Sequence, residues 1–301
     1  MRTPDWCAIV RRRLEEPRPL LVPPTRPGDL FSQLEGRGAP GGASPLRASG
    51  LGACARQLAY RLAGSSEVGK ETDARSRLAF AMGDFFEAFV TVALADAIDG
   101  GAAPGWALRG VQQHGGQIEV GVKLDAGLTL PGHPDGLLVG PGGTRIVLEV
   151  KSTSSWSFTE WGRERKAGRE PWTRGDSYWW QLQAYLCALD AAEGYVLAVD
   201  KESGQLAGWT QERDLAWADE ARAHVALAAS GLVPEDVPRR LPGGELLTPS
   251  EAKGKQPAGL LPWQCVYCPF WGRCWKGAIE EVAHDWRGRP KRQLRVTKEV
   301  E

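Results

Sequence analysis

The sequence lacks a net charge, a high cysteine content and a long apolar run, the features that would assign it directly to a class of protein. Its 37 Lys and Arg balance 37 Asp and Glu, so any attraction to a polyanion must come from local grouping of charge. Six cysteines are too few for the disulfide scaffold of a small secreted protein. No apolar run approaches the roughly 18 residues that span a bilayer, and the first residues lack the apolar segment of a signal peptide. We therefore expect a cytoplasmic protein without a membrane partner.

Glycine and proline, in contrast, are abundant. The 37 glycines and 21 prolines among 301 residues exceed the usual share of roughly 12%, but stay below the roughly 25–30% typical of disordered chains. This predicts a folded core with long loops. We expect a short N-terminal helix and a Pro/Gly-rich lead-in over 1–48, a folded domain over 49–280, and a basic C-terminal tail over 281–301.

Hydrophobic periodicity predicts the elements of the folded domain. Helices are predicted over 6–15, 53–62, 73–98, 176–192 and 212–230, and strands over 117–124, 129–139 and 145–151, with a hairpin over 195–210. No internal repeat is present. The order predicts an α/β or α+β fold with helices packed on a mixed sheet.

Acidic residues converge in the predicted hairpin over 129–151. Side chains alternate along a strand, so Glu149 and Lys151 share one face. If the turn is centred on Gly142, Asp135 lies opposite Glu149, with Cβ atoms roughly 4.5–5.5 Å apart. Facing carboxylates destabilise a sheet unless positive charge lies between them, which favours a bound divalent cation. A solvated strand pair with an ordinary Glu–Lys ion pair is the alternative.

Two predicted helices add polar side chains. Phe80, Glu87 and Leu94 recur at seven-residue spacing, which places Glu87 in an otherwise apolar row. A buried carboxylate is costly unless it is paired or metal-bound, whereas one at the edge of the row reaches solvent. On the later helix, Gln181 and Tyr185 are four residues apart and so share a face.

Together these residues resemble the PD-(D/E)XK nuclease superfamily in its RecB-like branch. The resemblance covers roughly residues 49–280 and implies a restriction-endonuclease-like core, with a mixed central β-sheet flanked by helices. It also implies Mg²⁺ or Mn²⁺, Lys151 assisting water activation, and a helix that contacts substrate. The implied metal ligands are Glu87, Asp135, Glu149 and Val150, and the implied catalytic residues are Asp135, Glu149, Lys151, Gln181 and Tyr185.

The activity implied is a metal-dependent deoxyribonuclease, an exonuclease on DNA ends or single strands. Hard cations held by carboxylates generate the attacking nucleophile near neutral pH and stabilise charge on the phosphate. The alternative is a catalytically inactive DNA-binding or assembly protein that keeps the fold. Cleavage polarity, strand preference and the partner protein, whether in recombination, repair or CRISPR adaptation, stay open.

Four cysteines indicate a second metal centre. Cys265, Cys268 and Cys274 follow a C-x-x-C-x₅-C spacing typical of metal ligands, and the fourth ligand must come from elsewhere. With Cys54 before the core and three cysteines after it, the chain resembles the iron–sulfur RecB-like nucleases, including AddB-type and CRISPR-associated adaptation nucleases. The resemblance implies a [4Fe–4S] cluster in a Cys-rich subdomain joining the two ends, with structural Zn²⁺ as the alternative. Cys187 is expected to be a buried structural thiol.

Tryptophan is also abundant, with 13 residues. Five tryptophans lie among basic residues just after Lys151, where they could stack on bases while the cations follow phosphates, or instead form core. They are Trp156, Trp161, Trp172, Trp179 and Trp180. The segment from Gly64 to Glu71 nearly matches a phosphate-binding loop, but Glu71 stands where that loop needs a hydroxyl and a helix precedes it. ATP-driven helicase activity is therefore not expected in this chain.

Overall fold

The computed structural model describes residues 3–16, 46–66, 74–111, 118–125, 128–251, 258–284 and 290–296. Its contacts divide the chain into two compact units, each made of separate segments. The first unit comprises residues 1–49 and 73–218, and the second comprises residues 50–72 and 219–301. These units differ from the three parts expected from the sequence, whose boundaries remain a prediction. Most of the Pro/Gly-rich lead-in and of the loop-like segment ending at Glu71 lies outside the described residues.

The described helices and strands follow one another in a mixed order. The helices are α1 (Trp6–Glu15), α2 (Ala55–Leu62), α3 (Ala74–Asp99), α4 (Ser155–Lys166), α5 (Ser177–Ala188), α6 (Trp217–Ala228), α7 (Trp263–Val266) and α8 (Trp271–Cys274), with short 3₁₀ turns at Ala48–Gly50, Pro141–Gly143 and Pro234–Asp236. The strands are β1 (Ala107–Arg109), β2 (Val120–Asp125), β3 (Leu128–Gly132), β4 (Gly136–Val139), β5 (Arg145–Thr153), β6 (Glu193–Asp200), β7 (Leu206–Glu212), β8 (Ala278–His284) and β9 (Pro290–Val296).

A five-stranded mixed sheet is the centre of the first unit. Its strand order is β1-β4-β5-β6-β7, and only β5 and β6 run parallel. Helices α4 and α5 lie in the crossover between those two strands, as a parallel pair requires. The core packs side chains of α1 and α3 against the sheet, including Trp6, Val90, Leu94, Leu148 and Leu197. The expected mixed α/β fold with helices flanking a central sheet is confirmed.

The hairpin that carries the acidic residues has the register predicted for it. Gly136 pairs with Leu148 and Val139 with Arg145, which centres the connection on Gly142. Gly142 has φ +70°, a conformation that glycine adopts without strain. This register places Asp135 directly before β4, across from Glu149.

The segment predicted as one strand over 129–139 is instead two strands in different sheets. It breaks after Gly132, at His133 and Pro134, because proline has no N–H with which to continue a strand ladder. The first part is β3, which pairs with β2 in a separate two-stranded sheet, and the second part is β4 of the central sheet. The prediction of a single strand over 129–139 is therefore wrong. The break frees Asp135 from strand pairing.

Among the elements that the sequence analysis missed, one helix and one strand pair lack a hydrophobic pattern. Helix α4 has no buried residue, so periodicity could not indicate it; it begins after the cap Ser154. Strands β8 and β9 form an antiparallel hairpin within the expected basic tail, and the predicted boundary after residue 280 falls inside β8. Ion pairs across this hairpin, from Arg292 to Glu280 and from Arg295 to Glu281, accompany its pairing.

One described helix segment, Arg77–Asp99 in α3, is long and apolar enough by length and composition to cross a membrane. The sequence analysis expected no segment of this kind, because Asp84 and Glu87 interrupt the apolar run. The mean hydropathy of the segment is nevertheless 1.7. Core helices of soluble proteins meet the same criterion, so the finding is weak evidence for a span.

The second unit has a smaller apolar cluster around three of its cysteines. The cluster combines residues from both of its segments, and Leu294 of β9 is fully buried in it. The buried members are Cys54, Leu241, Leu247, Leu261, Cys265, Val266, Trp275 and Leu294, with Cys274 packed against them.

Candidate active site and thiol cluster

Asp135 is fixed at the point where β4 begins. Its side chain is almost fully buried, and Oδ2 accepts a hydrogen bond from the backbone N–H of Val150 at 2.7 Å. The N–H and C=O of one residue point to the same side of a strand. The Val150 carbonyl therefore faces the Asp135 side of β5, so the predicted contribution of Val150 to a metal site would come from its backbone.

Glu149 occupies the centre of the site with one oxygen paired and the other not. Its side chain is 1% exposed, on a strand enclosed by β4 and β6. Oε1 accepts a hydrogen bond from Gln181 Nε2 at 2.9 Å and forms an ion pair with Lys151 Nζ. Oε2 is buried and has no hydrogen-bond partner among the described residues. An orphaned, buried carboxylate oxygen is costly, and a bound cation would satisfy it.

Glu87 on α3 is a neighbour of this pair. Burial raises the pKa of Glu87, and the Asp135 and Glu149 carboxylates raise it further, while Lys151 opposes them. Its expected apolar row is only partly buried, since Phe80 is exposed and Leu94 is fully buried. Glu87 thus lies at the transition between the exposed and buried halves of α3, facing the acidic pair.

The charges of the site are crowded and mostly negative. Burial raises the pKa of Glu149, the nearby Asp135 carboxylate raises it further, and Lys151 partly offsets both. Burial by itself would lower the pKa of Lys151, but the carboxylates of Glu149 and Asp135 outweigh it and hold that pKa above its usual value. When ionised, three carboxyl groups around one ammonium carry an excess of negative charge, which a divalent cation would neutralise.

Helix α5 contacts Glu149 through the predicted pair. Gln181 Nε2 lies 3.3 Å from the Tyr185 hydroxyl as well as bonding Glu149. Burial and the Glu149 carboxylate raise the pKa of Tyr185. A Cβ on Gly132 would lie 2.6 Å from the Tyr185 ring, so glycine at that position permits the close packing. Gln181 therefore orients Glu149 directly, Tyr185 acts on Glu149 through Gln181, and the contact of either side chain with substrate remains a prediction.

Sequence reasoning missed Tyr178. The Lys151 ammonium lies 5.4 Å from the centroid of the Tyr178 ring, within cation–π range. Tyr178 precedes Gln181 by three residues on α5 and so shares its helix face. That spacing is the signal that could have found it.

The described residues fit a site with two carboxylate ligands better than one with three. Within the described ranges, no three His, Cys, Asp or Glu side chains are grouped so that they could hold one metal ion. Asp135 and Glu149 have the oxygen donors that Mg²⁺ and Mn²⁺ prefer, together with the backbone of Val150. Glu87 lies within electrostatic range but is not grouped with them, so its role as a ligand remains a prediction.

The four predicted cluster cysteines all lie in the second unit, and all are free thiols. Burial, to which the nearby Cys54 and Cys274 add, raises the pKa of Cys265 to about 12. Burial likewise raises the pKa of Cys268 to about 12, with Cys54, Cys274 and Cys265 acting in the same direction. The thiols of these four cysteines therefore interact electrostatically, although no three of the described side chains are grouped so that they could hold one metal ion.

Two further groups lie against these thiols and were not found from the sequence. Arg239 Nε donates to Cys274 Sγ at 3.2 Å. The indole N–H of Trp275 is buried without a hydrogen-bond partner among the described residues, and it lies near enough to Cys265 to oppose the rise in its pKa. Four soft donors beside one guanidinium have the donor chemistry of a thiolate-bound metal. The prediction that Cys187 is a buried structural thiol was wrong, because Cys187 is exposed.

Most of the tryptophans proposed to stack on bases are core residues. Trp172, Trp179 and Trp180 are buried, and Trp161 packs edge-on against Trp172 and Trp209. Only Trp156, 73% exposed, stays accessible among the five. The nearby cations Arg163, Arg169 and Arg174 form ion pairs with Glu160, Glu164 and Asp214 respectively.

Comparisons with known proteins give distant structural likenesses. No protein-family profile matches the chain, and no curated protein matches it. The solved structures that resemble it include SSO0001, with 15% identity over 80% of this chain and 91% of that one and a TM-score of 0.47. They also include LHK-Exo, an alkaline exonuclease from Laribacter hongkongensis, with 20% identity over 62% of this chain and 86% of that one and a TM-score of 0.39. LHK-Exo in complex with dAMP gives 16% identity, the same coverage and a TM-score of 0.37. Likenesses at this level assign neither a family nor a function.

Proposed function

We propose that the chain is a Mg²⁺- or Mn²⁺-dependent deoxyribonuclease of the PD-(D/E)XK superfamily. The observation that carries the proposal is the buried Oε2 of Glu149, which has no hydrogen-bond partner in the part of the chain that the structure describes; Glu149 lies beside Lys151 and across from Asp135. A fold that keeps such an oxygen buried gains stability when a cation binds to it. A Glu149–Lys151 ion pair that served structure alone would not need the second carboxylate, that of Asp135.

Each residue of the site has a distinct task in this proposal. Asp135, Glu149 and the Val150 backbone would hold the cation, whose chemistry is to activate water and to stabilise charge on a phosphodiester. Lys151 would place an ammonium next to the reacting centre, where it assists water activation and stabilises the charge that grows in the transition state. Gln181 and Tyr185 fix the rotamer of Glu149, and the burial of the site excludes bulk water from it.

The finer parts of the proposal concern the branch of the superfamily, the DNA substrate, the cellular location and the second metal centre. We place the enzyme in the RecB-like iron–sulfur branch, as a cytoplasmic exonuclease on DNA ends or single strands. In the second unit, Cys54, Cys265, Cys268 and Cys274 would hold a [4Fe–4S] cluster, with Zn²⁺ as the alternative. Support for this centre comes from four free thiols that interact electrostatically, three of them in one apolar cluster, a donor set that iron–sulfur clusters and Zn²⁺ both use.

Digestion of defined DNA substrates tests the activity. Purified full-length protein is incubated with end-labelled linear DNA and with circular DNA, each single- and double-stranded, in Mg²⁺, Mn²⁺ or a chelator. We expect metal-dependent shortening of linear DNA from its ends and protection of circles. Cutting of circles would show an endonuclease instead. Binding of DNA without any cutting in either metal would overturn the proposal in favour of a catalytically inactive DNA-binding protein.

A further inference from the structure

Arg239 contacts two consecutive residues at the thiol cluster. Its Nε donates to Cys274 Sγ at 3.2 Å, and its Nη2 donates to the Cys274 carbonyl at 2.6 Å. Its guanidinium carbon lies 3.7 Å from the centroid of the Trp275 ring. One planar side chain is thus held by a sulfur, a carbonyl oxygen and an aromatic face, a combination that a flexible lysine could not reproduce.

The contact with sulfur has a chemical consequence. A neutral thiol is a weak hydrogen-bond acceptor, whereas a thiolate accepts a strong, charge-assisted bond from a guanidinium. Four thiolates around Zn²⁺, or around an oxidised [4Fe–4S] cluster, leave about two negative charges in excess. In the apolar cluster of Leu241, Leu261 and Leu294 such a charge needs a nearby cation. Arg239 supplies one, with its hydrogen bond aimed at the sulfur.

We propose that Arg239 is a positioning residue of the metal centre, donating to the Cys274 thiolate and thereby setting how tightly the metal is held and, for a cluster, its reduction potential. This inference rests on the proposed metal centre. Arg273 offers a matched control, because it precedes Cys274 directly but is exposed and donates to Ser66 Oγ at 2.7 Å.

The test compares Arg239→Gln, Arg239→Lys and Arg273→Gln with the wild type in full-length, anaerobically purified protein. Iron and zinc contents are measured first, followed by the rate of metal loss to a chelator and the reduction potential of any cluster. We expect Arg239→Gln to lose metal roughly 10–100-fold faster, as removal of a partner of a metal ligand commonly does. A cluster in that variant should have a lower reduction potential, because the donated hydrogen bond and the positive charge both stabilise the reduced state. Arg239→Lys should fall between it and the wild type, and Arg273→Gln should match the wild type.

Three results would overturn the inference, and they are distinguishable. If Arg239→Gln matches Arg273→Gln in metal retention and, for a cluster, in potential, Arg239 has no role although the metal centre stands. If Arg239→Gln fails to fold, Arg239→Lys is measured instead, since it keeps the charge and the aliphatic stem over Trp275. A folded Arg239→Lys variant that matches the wild type in metal retention and, for a cluster, in reduction potential overturns the inference. A wild-type protein containing neither iron nor zinc removes the metal centre and Arg239's role together.

Discussion

The two units of the chain each bring together side chains that are far apart in sequence, but with opposite chemistry. In the first unit the converging groups are carboxylates, and a buried oxygen of Glu149 lacks a partner among the described residues. In the second unit the converging groups are thiols, and Arg239 already donates to one of them. Hard oxygen donors select Mg²⁺ or Mn²⁺, while soft sulfur donors select iron–sulfur clusters or Zn²⁺. The contrast predicts that the first centre serves chemistry and the second serves structure.

The largest effect on activity is expected when a carboxylate is removed from the first unit, which tests whether the first centre serves chemistry. Asp135→Asn should lower DNA cleavage by about 10³-fold, because it weakens the cation site that activates the water. Raising the Mn²⁺ concentration should restore part of the activity, since the defect is one of metal affinity. Cleavage rates across a Mn²⁺ titration measure this effect. An unchanged rate at low Mn²⁺ would show that Asp135 does not bind the cation.

Removing a thiol from the second unit should instead affect stability. Cys274→Ser should lose the bound metal and lower the thermal unfolding temperature, because metal-binding energy becomes folding energy when ligands come from distant segments. Cys187→Ser is the matched control, as this exposed cysteine lies outside the cluster. Metal analysis and thermal unfolding of both variants make the comparison. Equal metal content in the two would contradict a four-cysteine site.

A smaller effect is expected from the residue that orients Glu149. Gln181→Ala removes the hydrogen bond to Glu149 Oε1 and should lower cleavage roughly 10–100-fold, as loss of a partner of a metal ligand commonly does. Its apparent affinity for Mn²⁺ should fall in parallel. An exposed glutamine, Gln205, provides the control Gln205→Ala. Loss of cleavage with unchanged Mn²⁺ dependence would place Gln181 on the substrate rather than on Glu149.

The smallest effect should come from the exposed tryptophan. Trp156→Ala should weaken binding of single-stranded DNA by about 1 kcal/mol, the lower end of what one stacked base contributes. Trp156→Phe keeps an aromatic face and should retain most of the affinity. Fluorescence anisotropy with labelled oligonucleotides measures both variants. Equal affinity of Trp156→Ala and the wild type would leave Trp156 without a role in binding.

The candidate site could be predicted from the sequence where short-range rules apply. The turn GPGGT and strand alternation fixed the register that sets Asp135 opposite Glu149, and helical spacing placed Gln181 and Tyr185 on one face. Local rules could not find Arg239, because its contact with Cys274 joins residues 35 positions apart through tertiary packing alone. They also could not separate core tryptophans from exposed ones, since burial of Trp172 and Trp180 depends on neighbours that the sequence order does not reveal.

The central claim is that the site around Glu149 cuts DNA, and Lys151→Ala tests it most directly. Lys151 pairs with Glu149 and is not among the proposed cation ligands, so the variant should fold, keep its thiol-bound metal and bind DNA. Its cleavage rate in saturating Mn²⁺ should fall by roughly 10²–10⁴-fold, the usual effect of losing an activating or charge-stabilising group. More Mn²⁺ should not restore it. Wild-type cleavage by folded Lys151→Ala would contradict the account.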